Sequence, residues 1–94
     1  MNLARSGEII LVFASNTMIL EAEELLEDKD LPFELIPVPK EVNPNCGLAI
    51  SFSEEDRDLI LPALKEATLA PSAGYFRMGD VFEDRSGEIL AALS

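Results

Sequence analysis

The residue best suited to covalent chemistry is Cys46, the only cysteine in the 94-residue chain. It stands in the segment VPKEVNPNCGLAI, after the turn-forming residues 43–45 (NPN) and before Gly47. A thiolate is a strong nucleophile, and a thiol on a polar turn is easier to reach than one in an apolar core. Gly47 has no side chain and leaves the thiol sterically open. The segment therefore predicts a reactive cysteine.

A structural role for Cys46 is the alternative interpretation. Free cysteines often pack as small apolar side chains, and this one directly precedes the apolar run of residues 47–52 (GLAISF). In that case Cys46 would fill the beginning of a strand and take no part in chemistry. The exposure and the reactivity of the thiol distinguish the two interpretations.

The composition excludes many other kinds of site. Eighteen acidic and seven basic residues give a formal net charge of −11, which repels phosphate backbones and anionic lipid, so neither nucleic acid nor a membrane is an expected partner. The chain has no histidine, which excludes Ser-His-Asp and Cys-His catalysis and histidine metal sites. A single cysteine excludes thiolate zinc sites and internal disulfides, and it suits the reducing cytoplasm.

The first half of the chain predicts a strand, a helix and a second strand. Residues 8–14 (EIILVFA) form an apolar, β-branched run typical of a central strand. A helix follows the capping residues 15–17 (SNT) and ends near residue 30, because Pro32 disfavours helical geometry in the residue before it. Its predicted apolar face contains Met18, Ala22, Leu25 and Leu26. Residues 33–38 (FELIPV) predict an edge strand, since Pro37 cannot donate a hydrogen bond to a central ladder.

The second half repeats this pattern. Residues 47–52 predict a third strand and residues 75–78 a short fourth strand. The helix between them contains Pro62, which should kink it. Its predicted inward residues are Leu59, Ile60, Ala63, Leu64 and Ala67.

The order β-α-β-β-α-β predicts an α+β fold of the ferredoxin-like kind. This is a two-layer sandwich of one four-stranded antiparallel sheet with both helices on one face. The first and third strands are central in it, and the second and fourth strands are edges. We expect residues 1–78 to form this domain. Residues 79–94 form a C-terminal extension, with a short helix predicted from about Gly87.

The predicted topology gives Cys46 a set of neighbours. The loop between the second and third strands lies beside the turn from the first strand into the first helix, which contains Ser15, Asn16 and Thr17. Free N–H groups and the positive end of a helix dipole favour an anion and lower the pKa of a thiol. Lys40 adds a positive charge, whereas the net negative charge of the protein acts in the opposite direction. The sign of the net pKa shift of Cys46 stays open.

Four short motifs follow each other along the chain. They are F-x-S at Phe13 and Ser15, A-E-x-L-L at residues 22–26, I-P-V-P at residues 36–39 and C-G-L-A at residues 46–49. This pattern resembles the Se/S carrier family, a small bacterial family of single-cysteine domains, over residues 8–78. Lys40 stands where that family tends to have arginine, Asn16 stands where threonine is usual, and residues 79–94 extend beyond the family domain.

The resemblance implies that Cys46 carries sulfur or selenium as a persulfide or selenosulfide. The expected partners are a protein donor and a protein acceptor, with a homodimer left open, and neither a metal nor a cofactor is expected. A carrier needs one thiolate and no general base, which fits the missing histidine. The alternative is a non-catalytic interaction module or small-ligand-binding module in which Cys46 is incidental. Either way, a carrier or binding protein fits the sequence better than a stand-alone enzyme.

Overall fold

A computed structural model of the protein describes residues 7–37, 48–79 and 81–93, and its centre is a five-stranded antiparallel sheet. The strand order across the sheet is β2-β3-β1-β4-β5. A short 3-10 turn, Glu54–Asp56, joins the third strand to the second helix. The elements are β1 (Glu8–Val12), α1 (Asn16–Asp28), β2 (Glu34–Pro37), β3 (Leu48–Ser53), α2 (Arg57–Glu66), β4 (Ala73–Met78), β5 (Val81–Asp84) and α3 (Ser86–Ala92).

Strand β1 lies at the centre of the sheet, as its apolar sequence predicts. It pairs antiparallel with β3 on one side and with β4 on the other. Every residue from Ile9 to Val12 is buried, because side chains alternate between the two faces of a strand and both faces are covered here. Ile9 and Leu11 belong to the main core, and Ile10 and Val12 belong to a smaller cluster on the opposite face.

Strand β2 is the outermost strand on one side, which confirms the edge position predicted from Pro37. Its partner is β3, and the pairing runs from Glu34 opposite Ser51 to Pro37 opposite Leu48. Proline has no N–H group, so a strand that ends with it is tolerated at an edge and not in the middle of a sheet.

The α+β class and the antiparallel sheet are confirmed, but the predicted four-stranded sheet with two helices is wrong. The order β2-β3-β1-β4 agrees with the ferredoxin-like arrangement, whereas β5 pairs with β4 and removes β4 from the edge. Gly79 has a φ of 64°, a left-handed conformation that glycine adopts without strain and that lets the chain turn back after β4. The segment VFED of β5 is short and half charged, so its sequence has no clear strand pattern.

The main core lies on the face of the sheet that the helices cover. Helix α1 buries Ile19, Ala22 and Leu26, and α3 buries Ile89. The predicted inward face of α2 is partly wrong, because Leu59 is 55% exposed and Ala67 is also exposed. The buried residues of α2 are Ile60, Leu61, Ala63 and Leu64.

Helix α3 packs on the sheet at a glycine. A Cβ atom at Gly74 would lie 2.5 Å from Cδ1 of Ile89, so only glycine at this position of β4 lets Ile89 approach so closely. The Gly74 N–H group donates to Ser86 Oγ at 3.0 Å, and the Gly74 carbonyl accepts from the Arg85 N–H group at 2.9 Å. The helix predicted from about Gly87 thus begins at Ser86 and is joined to the core of the sheet.

Replacing Ile89 by alanine should destabilise the protein substantially. The side chain is 1% exposed, and an alanine would leave a cavity between α3 and β4. We expect Ile89→Ala to lower the free energy of unfolding by about 2–5 kcal/mol in urea titrations followed by circular dichroism. The matched control is Leu20→Ala on α1, which is 58% exposed and should stay within about 0.5 kcal/mol of the wild type. Equal, small effects of both variants would show that α3 does not contribute to the core.

Candidate functional site

The candidate site lies at the end of the sheet where the central strand β1 leads into α1. Val12, the last residue of β1, is opposite Ala49, and Leu48, the first residue of β3, is opposite Pro37 of β2. The chain segment that joins β2 to β3 therefore leaves and re-enters the sheet at the same end as the beginning of α1. This is the strand arrangement from which the site was predicted.

Three of the predicted site residues, Cys46, Gly47 and Lys40, lie outside the described residues. Their arrangement around the thiol stays a prediction. The structure does describe Ser15, Asn16 and Thr17, which are adjacent in sequence and are all exposed at the beginning of α1.

Ser15 is the N-cap of α1. It has an extended backbone, and its Oγ accepts a hydrogen bond from the Met18 N–H group at 3.2 Å. The Ser15 carbonyl also accepts from the Ile19 N–H group at 3.3 Å. We expect the side chain of Ser15 or of Asn16 to donate a hydrogen bond to an anion bound at the site. The cap uses the Ser15 hydroxyl as an acceptor and leaves its O–H free to donate, because a hydroxyl is both an acceptor and a donor.

The first turn of α1 keeps hydrogen-bond donors available. The cap satisfies Met18, whereas the backbone N–H groups of Asn16 and Thr17 have no acceptor among the described residues. The first turn also contains no acidic residue, so no carboxylate there offsets the positive end of the helix dipole. Despite the strongly acidic composition, this end of α1 can stabilise an anion.

Ser72, in the loop before β4, fixes the same end of β1, and its role was not predicted from the sequence. Its backbone N–H group and its hydroxyl both donate to the Val12 carbonyl, at 2.8 and 3.1 Å. The last residue of β1 is thereby fixed to the loop that precedes β4. The only sequence signal was a serine between Pro71 and Gly74, which indicated a loop but not its contact.

A second group of charges joins β5 to α3. Arg85 lies 2.7 Å from Glu83 and 3.4 Å from Glu88, and its guanidinium is 4.8 Å from the centre of the Phe76 ring. The hydrogen bond that Arg85 donates to Glu83 raises the pKa of Arg85 above its usual value, with a further contribution from Glu88. These charges already pair with each other, so we assign the cluster a structural role.

Asp84 also fixes the beginning of α3. Its carboxylate accepts a hydrogen bond from the Ser86 N–H group at 2.8 Å. Hydrogen bonds from the backbone and the side chain of Ser86 lower the pKa of the Asp84 carboxyl below its usual value. The junction between β5 and α3 is therefore held by local electrostatics as well as by Ile89.

Within residues 7–37, 48–79 and 81–93, no group of three or more cysteine, aspartate or glutamate side chains could hold a metal ion. None of the helices in that part of the chain is long and apolar enough to cross a membrane.

Residues 8–75 of the chain match the family described as Putative Se/S carrier protein-like. The chain belongs to this family. The matched residues extend from the beginning of β1 into β4 and include the whole segment around Cys46, which confirms the resemblance found in the sequence. Strand β5 and helix α3 lie beyond the residues that match the Se/S carrier-like family. Comparison with curated proteins and with solved structures gives no match.

The contribution of the Ser15 cap to the stability of the protein should be measurable. Ser15→Ala removes the acceptor of the Met18 N–H group, and we expect it to lower the free energy of unfolding by about 1 kcal/mol. Ser15→Asn is the matched control, because asparagine caps helices as well as serine does and should restore most of the loss. Urea titration measures both effects. If Ser15→Asn is as unstable as Ser15→Ala, the hydroxyl does not act through the cap.

Proposed function

We propose that the protein carries sulfur or selenium on Cys46 and transfers it to an acceptor protein. The observation that carries this proposal is the match to the Se/S carrier-like family, because the matched residues 8–75 include the cysteine. Cys46 is the only thiol of the chain, so a carrier mechanism has one candidate residue.

The proposed loading step is a thiol exchange without net redox change. The Cys46 thiolate attacks the terminal sulfur of a persulfide on the donor protein, a new S–S bond forms at Cys46, and the donor cysteine leaves as a thiolate. In the unloading step, a thiolate of the acceptor attacks the terminal sulfur, and Cys46 leaves as a thiolate. A selenosulfide follows the same steps with selenium as the terminal atom. Neither step needs a histidine base.

The beginning of α1 supports this chemistry. A persulfide anion is a soft, negatively charged group, and the N–H groups of Asn16 and Thr17 are donors without an acceptor among the described residues. The register of β1, β2 and β3 brings both ends of the segment around Cys46 to the end of the sheet where α1 begins. Donors at a helix N-terminus would stabilise both the thiolate and the loaded persulfide.

Incubation with a cysteine desulfurase and cysteine should add one sulfur atom to Cys46. Intact mass spectrometry and peptide mapping measure the gain, which dithiothreitol should reverse. A selenocysteine lyase with selenocysteine tests selenium in the same way. A synthetic peptide of residues 38–50 is a matched control, since it has the same cysteine without the fold and should be loaded more slowly. Cys46→Ser should take up neither element.

Two results would contradict a carrier function. One is no gain of sulfur or selenium on Cys46 from either donor. The other is loading of the free peptide as fast as the folded protein, which would mean that the fold contributes nothing to the reaction. Both results would favour the interpretation as a binding module in which the cysteine is incidental.

A carboxylate at the beginning of α1 should make the thiol less reactive. Asn16→Asp places a negative charge in the first turn of the helix, and this charge should raise the pKa of Cys46. We expect alkylation by iodoacetamide near pH 7 to become about two- to fivefold slower, as for one added charge at a partly solvated site. The alkylation rate measured across pH gives the pKa directly.

The control for this experiment is Leu59→Asp. It adds the same charge at an exposed position in the first turn of α2, which follows the far end of β3. Its alkylation rate should match that of the wild type. If Asn16→Asp and Leu59→Asp behave alike, Cys46 does not lie near the beginning of α1.

A further inference from the structure

A groove of about 330 Å³ lies at the opposite end of β3, where β3 ends and β2 begins. In the part of the chain that the structure describes, its polar lining residues are Glu8, Glu34, Asp56, Ser51 and Ser53, and the half-buried Phe33 lies in its apolar wall. The volume falls at the lower end of the range for small-molecule sites.

The strand register places the polar groups of the groove side by side. Ser51 is opposite Glu34 on β2, and Ser53 is opposite Glu8 on β1. Residues directly opposite each other in an antiparallel sheet have their Cβ atoms about 4.5–5.5 Å apart and point to the same face. Each of these two hydroxyls on β3 therefore has one carboxylate beside it, Glu34 next to Ser51 and Glu8 next to Ser53.

Ser51 indicates that the groove receives a ligand. The residue is 3% exposed, and its hydroxyl has no hydrogen-bond partner among the described residues. None of those residues has a side-chain oxygen or nitrogen that is both sealed from solvent and unpaired, so the small exposed part of Ser51 must include its hydroxyl oxygen, which opens onto the groove. The polar side chain of a residue this deeply buried normally has a hydrogen-bond partner, and here the hydroxyl faces the groove instead.

The charges of the groove select the ligand. Glu8 is paired with Arg77 across the sheet, whereas the side-chain carboxylates of Glu34 and Asp56 have no ion pair or hydrogen bond with any described residue. No lysine or arginine of residues 7–37, 48–79 and 81–93 lines the groove. Since these carboxylates do not form a cluster that could hold a metal ion within the described chain, the complementary ligand is an organic cation.

We propose that this groove binds a guanidinium group. A guanidinium is planar, so it can donate paired N–H groups to the carboxylate of Glu34 and donate another to the Ser51 hydroxyl. An ammonium group offers only a point charge and cannot make these contacts together. The site is separate from the proposed carrier chemistry and does not depend on it.

The two sources of a guanidinium group are a free small molecule and an arginine side chain of a partner protein. Both present the same chemistry to the groove, and a titration separates them. Tighter binding of the blocked tripeptide acetyl-Ala-Arg-Ala-amide than of N-methylguanidinium assigns the groove to a partner's arginine. The reverse order assigns it to a free compound.

Titration of the full chain with N-methylguanidinium, followed by two-dimensional ¹⁵N NMR, tests the proposal. We expect saturable shifts of the amide signals of residues 33–34, 51–53 and 56. N-methylurea is the matched control ligand, because it has nearly the same shape without the charge, and it should cause no saturable shift. Methylammonium should bind more weakly than N-methylguanidinium.

Single substitutions show which side chains contribute to the affinity for N-methylguanidinium. Glu34→Gln and Ser51→Ala should each weaken N-methylguanidinium binding by about tenfold, the usual effect of losing a hydrogen bond to a charged group. Glu24→Gln is the matched control, since it removes an equal charge from an exposed position of α1, and it should leave the affinity unchanged. The spectra of the free variants report whether each is folded.

Three outcomes would overturn the proposal. They are the absence of saturable shifts at these residues, equal binding of N-methylurea, and equal loss of affinity in Glu24→Gln and Glu34→Gln. The last would mean that the cation responds only to the net charge of the protein.

Discussion

The pairing of β1 on both sides is the constraint on which the rest of the structure depends. β1 is held by β3 and β4 and is buried on both faces from Ile9 to Val12. Removing this much apolar surface from water is the largest stabilisation available to a chain of this size. Once β1 is fixed, its last residue sets where α1 begins. The neighbouring start of β3 sets where the segment around the cysteine re-enters the sheet.

Much of this arrangement follows from the sequence, because hydrophobic periodicity and proline act locally. The apolar run at residues 8–14 predicted the central strand, and Pro37 predicted the edge. Strand β5 escaped prediction because VFED has few apolar side chains and derives its structure from pairing with β4. The exposed Leu59 also depends on tertiary contacts, because packing against other elements, and not the apolar pattern of α2 alone, decides which face of that helix is buried.

The candidate sites differ in how far sequence alone could define them. Ser15 at the beginning of α1 has a recognisable capping signature, and its cap is present. By contrast, Ser72 and Ser51 acquire their roles from partners distant in sequence. Ser72 holds the end of β1, and Ser51 lies opposite Glu34 of β2 in the wall of the groove. A serine in a strand carries no local signal of its neighbours, so such sites appear only when the register is known.

The contact between Gly74 and Ile89 also separates two meanings of a domain boundary. The residues that match the family end at residue 75, just after Gly74, while the side chain that fills the space above that glycine comes from α3. A chain cut at the end of the matched region would leave β4 with an open edge and the core without one of its fully buried side chains. The unit that unfolds cooperatively is therefore larger than the region that matches the family. Residues beyond that region help to keep the matched region folded.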